Sequence, residues 1–451
     1  MSLKVIFILL IVMTIGILLF KKDRVQYLKY IIFLNLFLEF IINKIFPWAT
    51  YYVDQMILIT VAAGILLSMT TIKTEIIDIN FKTVLWITVL SLFYFIIIGA
   101  LRGVGPFIYL IDYRRTMFMY LIVIIFFVST PNENYLSLLR FIVIMLIVQI
   151  IVTFIQYFGP DTLSKYLMSR NPYPVGKTIA YLKENDISSS HHVIGTLGRY
   201  NQLGNLFAMI IPYLWGKYLW DKNDIRMNSK YYLTALIASI ITIVLTGNRM
   251  SMVSFVFGMI IVYYIYNPKK TLIIILISIF GVLVFCKTIV YIGLEQYYSN
   301  GNIGSPIHKL TSIFIFIADP FSKHGSVTTF TLSLTLIPYF LRNPIIGIGN
   351  YYRGGYALIY PGSNNVSDAT LMFLLCEYGL IGFLVLISIM IAIVYYCKSR
   401  VDRNSYLLIL TIVAILLVQT ITDAGFYYKR SGIFFSILVG FEIMKYRMTK
   451  R

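Results

Sequence analysis

The sequence predicts an all-α, polytopic integral membrane helix bundle of about 12 to 14 transmembrane helices, and three observations predict it. Apolar side chains make up 59% of 451 residues against 13% charged, and mean hydropathy is +0.81; no water-soluble core has room for that much apolar surface. The apolar residues gather into runs, most of them close to the roughly 20 residues a helix needs to cross a bilayer. The third observation is charge: 38 Lys and Arg against 19 Asp and Glu give a net charge of +19, and the basic residues sit in short segments between the runs. In a soluble chain that excess would suggest nucleic acid; in a polytopic chain it marks cytoplasmic loops.

The first run, Val5 to Phe20, is followed by Lys21, Lys22, Asp23 and Arg24 and lacks a small-residue cleavage site. It reads as an uncleaved span. Further runs lie at Tyr27 to Ile45, Met56 to Ile72, Thr83 to Leu101, Thr116 to Val128, Leu138 to Phe158, Leu203 to Trp220, Tyr231 to Leu245, Met250 to Tyr266, Thr271 to Val290, Ala369 to Cys397, Tyr406 to Ile421 and Ile433 to Met444. One integral membrane domain is therefore expected over 1–451. It is interrupted by long external loops at 159–201 and 291–367, and 369–444 carries the C-terminal spans.

Orientation follows from the basic loops. Lys21 to Arg24, Lys73 to Lys82, Lys217 to Lys230, Asn267 to Lys270, Lys398 to Arg403 and the tail Lys445 to Arg451 alternate with the other connections, so they share one side. That side is the cytoplasm by the positive-inside rule. The amino terminus and both long loops then lie outside. The second long loop holds Leu310 to Ile317 and Val327 to Phe340, apolar stretches broken by Pro320, Lys323, His324 and Pro338, which suit short helices at the outer interface. The tyrosine pairs Tyr297-Tyr298, Tyr351-Tyr352 and Tyr427-Tyr428 suit an aromatic belt, with sugar stacking as the alternative.

Cys286, Cys376 and Cys397 are scattered and suggest no disulfide framework. The histidines His191, His192, His308 and His324 form no metal-ligand spacing, so neither a metal nor another cofactor is expected. The chemistry rests instead on arginines that orientation places outside. Arg249 lies at the junction of two spans, where a guanidinium can grip a phosphate through two parallel hydrogen bonds while helix amino termini add to the field. Arg102, Arg114 and Arg115 share another outer connection beside Asp112, Arg199 precedes a span, and Arg353 follows the turn Gly347-Ile348-Gly349. Snorkelling to lipid headgroups is the alternative for Arg249, and one of Arg114 and Arg115 is expected to pair with Asp112 or face lipid phosphates, leaving the other for a ligand. Several outer arginines together suggest a multiply charged anion, and a lipid pyrophosphate fits. Glu39 and Glu377, inside spans, read as bundle structure.

Two motifs carry a resemblance. Arg342 to Asn350 reads Asn-Pro-x-x-Gly-x-Gly, and after a polar segment through Asp368 an apolar helix contains Glu377-Tyr378-Gly379-Leu380-Ile381-Gly382. Upstream, Thr246-Gly247-Asn248-Arg249 is similar to a Thr-Gly-Ser-Arg element, with Asn248 in place of Ser. The chain thereby resembles the O-antigen ligase and polymerase superfamily, particularly the Wzy-type O-antigen and capsule polymerases. The ligase branch carries a histidine in the motif region, where this chain has Asn364, Asn365 and Asp368. That departure favours a polymerase.

The resemblance implies a membrane glycosyltransferase that moves a growing glycan from its undecaprenyl pyrophosphate onto the next lipid-linked repeat unit. Its setting would be the outer face of the bacterial cytoplasmic membrane. Arg249, Arg353 and Asp368 are then the catalytic candidates, Asp368 with helix capping as its other reading. Arg102, Arg114, Arg115, Arg199, Asn365 and Tyr352 are the candidates for substrate binding. Implied partners are the lipid-linked donor and acceptor, membrane lipid, a chain-length regulator and a flippase, with no nucleic acid. A lipid-linked donor agrees with the lack of a nucleotide-binding glycine fingerprint, a phosphate loop or an Asp-x-Asp motif. An O-antigen ligase and a lipid-linked oligosaccharide flippase or transporter are the rival readings; the transporter should show internal symmetry and broken helices near midplane.

Overall fold

The computed structural model describes residues 3–46, 53, 56, 57, 59–61, 63, 64, 79–101, 134–167, 193–197, 200–220, 229–270, 337–347, 370–422 and 429–450. Among these residues there are helices and connecting turns and no strand. The elements are α1 (Leu3–Lys22), α2 (Arg24–Ile45), α3 (Ile79–Leu101), α4 (Leu136–Phe158), α5 (Asp161–Leu167), α6 (Tyr200–Trp220), α7 (Ser229–Thr246), α8 (Arg249–Tyr266), α9 (Ile337–Arg342), α10 (Thr370–Lys398), α11 (Arg403–Thr422) and α12 (Lys429–Thr449). The expected runs Thr116 to Val128 and Thr271 to Val290, and much of Met56 to Ile72, lie outside the described residues.

Short polar side chains set the helix starts. Asp23 Oδ1 accepts from Val25 N at 2.9 Å and Asp402 Oδ1 from Ser405 N at 2.7 Å, each satisfying a donor that a helix amino terminus leaves over. Inside the helices, hydroxyls bond back to their own turn: Thr88 to the Val84 carbonyl at 2.8 Å, Thr153 to Gln149 at 2.8 Å and Ser436 to Gly432 at 2.9 Å. A polar side chain thus costs little in an apolar helix, because its hydrogen bond never leaves that helix.

Four helical stretches, Arg24–Ile45, Leu136–Phe158, Tyr378–Lys398 and Arg403–Thr420, are long and apolar enough to cross a membrane. At 1.5 Å per residue, α4 rises about 35 Å, more than the ~30 Å of a bilayer's hydrocarbon. Its outward side chains include Ile144, Ile151 and Phe158, and those of α3 include Trp86, Leu90, Phe93 and Ile97. Both sets repeat at helical spacing, so whole faces of these helices are apolar and exposed.

The chain divides into two compact units. The first comprises Met1–Asn35, Tyr51–Leu139 and Thr329–Arg451. Within it α10 packs against α3, α9 and α11, and α11 against α12. Helix α12 is buried on every side from residue 430 to residue 445. It runs past the apolar run Ile433 to Met444 at both ends, because its charged residues are taken inside with it: Arg430, Glu442 and Lys445 are all buried. Ser405 Oγ donates to the Glu442 carboxylate at 2.5 Å, a contact that lowers the cost of keeping that carboxylate out of water.

The second unit comprises Leu36–Thr50 and Arg140–Thr328. Its central helix is α6, buried continuously from residue 203 to residue 214, with α7 and α8 packed against it. A helix buried all round is one with no polar face to turn outward. Within the first long loop Asp161–Leu167 forms α5, one of the short helices expected there, and Val193, Ile194 and Leu197 are fully buried although they are not helical.

Candidate functional site

Two clusters of polar and glycine residues interrupt the apolar helices, one in each unit, and both fall on the motifs read from the sequence. In the second unit the cluster is the turn between α7 and α8. Thr246 ends α7, Gly247 takes a left-handed φ of 62°, Asn248 is extended at φ −83° and ψ 108°, and Arg249 opens α8. The junction is therefore two residues long, Gly247 and Asn248. The helix starts at Arg249, one residue before the apolar run, because the cap precedes it.

Every described side chain of this turn is buried and bonded. Asn248 Oδ1 accepts from Met250 N at 3.1 Å and Ser251 N at 3.4 Å. Thr246 Oγ1 donates to the Ile243 carbonyl at 2.7 Å and accepts from Asn248 N at 3.3 Å. Ser251 Oγ donates to Asn205 Oδ1 on α6 at 2.8 Å, which fastens the turn to the central helix. Close approach there depends on Gly204, where an added Cβ would lie 2.5 Å from Ser251 Oγ and 3.0 Å from Thr246 Oγ1. Asn248 is thus the N-cap of α8, its side-chain oxygen meeting two of the N–H groups that the helix start leaves over.

In the first unit the two halves of the longer motif interlock. After α9 the chain turns through Asn343 to Gly347, with Gly347 N donating to the Asn343 carbonyl at 2.8 Å. Helix α10 breaks at Gly379, whose φ of 66° and ψ of −176° are not helical. The helix that resumes leaves amino-terminal N–H groups without partners of its own, and the turn supplies them. Leu380 N donates to the Pro344 carbonyl at 2.8 Å and Ile381 N to the Ile345 carbonyl at 3.1 Å. Tyr94 on α3 donates to the Tyr378 carbonyl at 3.4 Å. A side chain at residue 379 would run into Gly347 N and the Ile345 carbonyl, so the glycine is required twice, by its φ and by the close approach.

The backbone of Arg249 is thus placed, while its side chain lies outside the described set. Arg102, Arg114, Arg115, Arg199, Tyr352, Arg353, Asn365 and Asp368 also lie outside the described residues, although Arg199 is bracketed closely by Leu197 and by α6. Glu39 is buried within α2, as a bundle residue would be. Sequence reasoning missed Gln149 and Gln156 on α4, both essentially unexposed and bonded to residues of the 193–197 segment. Two carboxamides seven residues apart on one face of a largely apolar helix were the signal.

Two outcomes follow from these geometries. Gly379→Ala should destabilise the first unit by about 1–3 kcal/mol, the cost of a non-glycine residue held at an unfavoured backbone angle, with the carbonyl contact adding to it. Thermal unfolding in detergent will show a lowered Tm; an unchanged Tm would contradict the interlock. Asn248→Ser should be nearly neutral, whereas Asn248→Leu removes the capping oxygen and should cost about 0.5–2 kcal/mol, read in the same assay.

No protein-family model matches this chain, and no curated protein matches it either, so the chemistry of the two clusters is argued from their own residues.

Proposed function

We propose that the chain is a polytopic membrane glycosyltransferase that polymerises lipid-linked oligosaccharide repeat units, carried on undecaprenyl pyrophosphate, into O-antigen or capsular polysaccharide. The observation that carries the reading is the position of Arg249. It is the first residue of α8, where a cation meets the positive end of the helix dipole at a cost of roughly 0.3–1 kcal/mol. A bound anion reverses the sign, since the guanidinium and the helix terminus then act on it together. The turn that presents Arg249 is buried and held on both sides of it, through Thr246, Asn248 and Ser251.

In the proposed reaction the anomeric carbon of the donor glycan leaves its pyrophosphate and is taken by an acceptor hydroxyl. Negative charge grows on the pyrophosphate oxygen as the bond breaks, and a fixed guanidinium stabilises it without reorganising. Arg249 takes that role. Asp368 accepts the proton of the attacking hydroxyl, and Arg353 contributes a further positive charge. Arg102, Arg114, Arg115, Arg199, Asn365 and Tyr352 hold lipid pyrophosphate and sugar. With basic loops in the cytoplasm, the site faces outside, where a flippase delivers repeat units and a chain-length regulator acts on the product.

The break in α10 at Gly379 is the one observation that favours a transporter, because broken helices there line ion and substrate paths. Its first freed N–H groups are taken by the Pro344 and Ile345 carbonyls, which leaves the break occupied by the chain itself and weakens that reading. A ligase shares the donor and differs in the acceptor.

Purified protein given pyrophosphate-linked repeat units should produce a ladder of longer glycans. Arg249→Ala should lower the rate roughly 10²- to 10³-fold, as loss of a comparable charge-stabilising donor does. Transfer of the units between leaflets of reconstituted vesicles, with no elongation, would replace the enzyme reading by the transporter.

A further inference from the structure

Gln149 and Gln156 lie one above the other on α4, and 0% and 1% of their surfaces are exposed. A buried carboxamide is costly unless its groups are bonded, and both amides here are bonded, that of Gln156 completely. Gln156 Nε2 donates to the Leu167 carbonyl at 3.0 Å and the Gly195 carbonyl at 2.8 Å. Its Oε1 accepts from Ile194 N at 3.1 Å and Gly195 N at 2.9 Å. All four hydrogen-bonding positions of the amide are used, and reversing it would set an NH₂ against two N–H donors. Gln149 continues the pattern: its Oε1 accepts from Thr196 N at 3.2 Å, and its Nε2 donates to Thr196 Oγ1. Thr196 Oγ1 in turn donates to the Leu36 carbonyl at 2.6 Å.

Three consecutive backbone N–H groups, of Ile194, Gly195 and Thr196, are thereby satisfied by two side chains of one helix. Non-helical backbone inside an apolar bundle persists only with such partners. Gly195 has a left-handed φ of 55°, and an added Cβ would lie 2.7 Å from Gln149 Oε1. The same Cβ would be 3.1 Å from Leu203 Cδ1, so the clamped segment also rests on the first turns of α6. One residue further along α6, Gly204 and Asn205 receive the Thr246–Ser251 turn. The clamp thus fixes the amino-terminal end of the helix against which the Arg249 turn packs.

We propose that Gln149 and Gln156 are positioning residues for the glycosyl transfer, setting the frame on which the Arg249 turn stands. Packing alone would bury this segment; two carboxamides fix it in direction and register. A reacting group displaced by about 1 Å loses on the order of 10²-fold in rate, so the contribution appears in kcat. The role rests on the polymerase reading, while the clamp itself does not.

The test uses the full-length protein in detergent, with Gln156→Leu and Gln156→Glu, each also made with Val193→Cys. A water-soluble thiol reagent reads the segment, and the glycan ladder reads turnover. With Gln156 in place the thiol introduced at position 193 should stay protected; with Gln156→Leu it should react, and kcat should fall at least tenfold with KM changed much less. Gln156→Glu should retain turnover at low pH, where the protonated carboxyl keeps one donor for the Leu167 and Gly195 carbonyls. It should lose turnover as pH rises and the carboxylate faces both, a step the native profile lacks. A lowered Tm with kcat of the folded protein unchanged would make the glutamines structural only and overturn the proposal. Equal labelling with and without Gln156 would overturn the clamp. If the native protein makes no ladder, the polymerase reading fails and the positioning role with it, and the labelling pattern distinguishes that failure from failure of the clamp.

Discussion

Backbone that leaves the helix inside an apolar bundle has to find its hydrogen bonds in the protein, because neither lipid nor packed side chains can supply them. Three stretches of this chain meet that demand in three ways. The 193–197 segment takes the carboxamides of Gln149 and Gln156. The α7–α8 turn closes on Thr246 and Asn248. The break at Gly379 is closed by the backbone carbonyls of Pro344 and Ile345. In each place a glycine with left-handed φ, Gly195, Gly247 or Gly379, lets the chain turn where a side chain would be strained.

Within the second unit the interruptions connect. Helix α6 meets the clamped segment at Leu203 and the Arg249 turn at Gly204 and Asn205, so one buried helix carries two polar turns at its amino-terminal end. A rigid frame of this kind is what charge stabilisation requires, since a guanidinium that must reorganise gains little from the charge it meets.

Much of the fold was legible because apolar runs have length, and length alone separates a span from a core helix. The runs at Leu138 to Phe158 and Met250 to Tyr266 match α4 and α8 to within two residues. The longer motif was also visible, but its physics was not. Nothing local tells that the carbonyls after Asn343 cap a helix beginning at Leu380, because the pairing is long-range. Gly379 reads in sequence as a weak helix residue and acts as a break. Asn248 was legible as a substitute for Ser, since capping needs only an oxygen at that position. Gln149 and Gln156 passed unnoticed because single polar residues in an apolar helix are ordinary, and most of their partners lie about forty residues away, past a segment that gave no periodic signal.

The proposed polymerase depends on Arg249, at the start of α8, gripping a lipid pyrophosphate. Equilibrium binding of undecaprenyl pyrophosphate and undecaprenyl monophosphate to the detergent-solubilised protein, native and with Arg249→Gln, tests it without requiring turnover or knowledge of the sugar. The native protein should prefer the pyrophosphate, and Arg249→Gln should lose most of that preference while its Tm is unchanged. Equal affinity of the native protein for the two lipids, or a preference indifferent to Arg249, would contradict it.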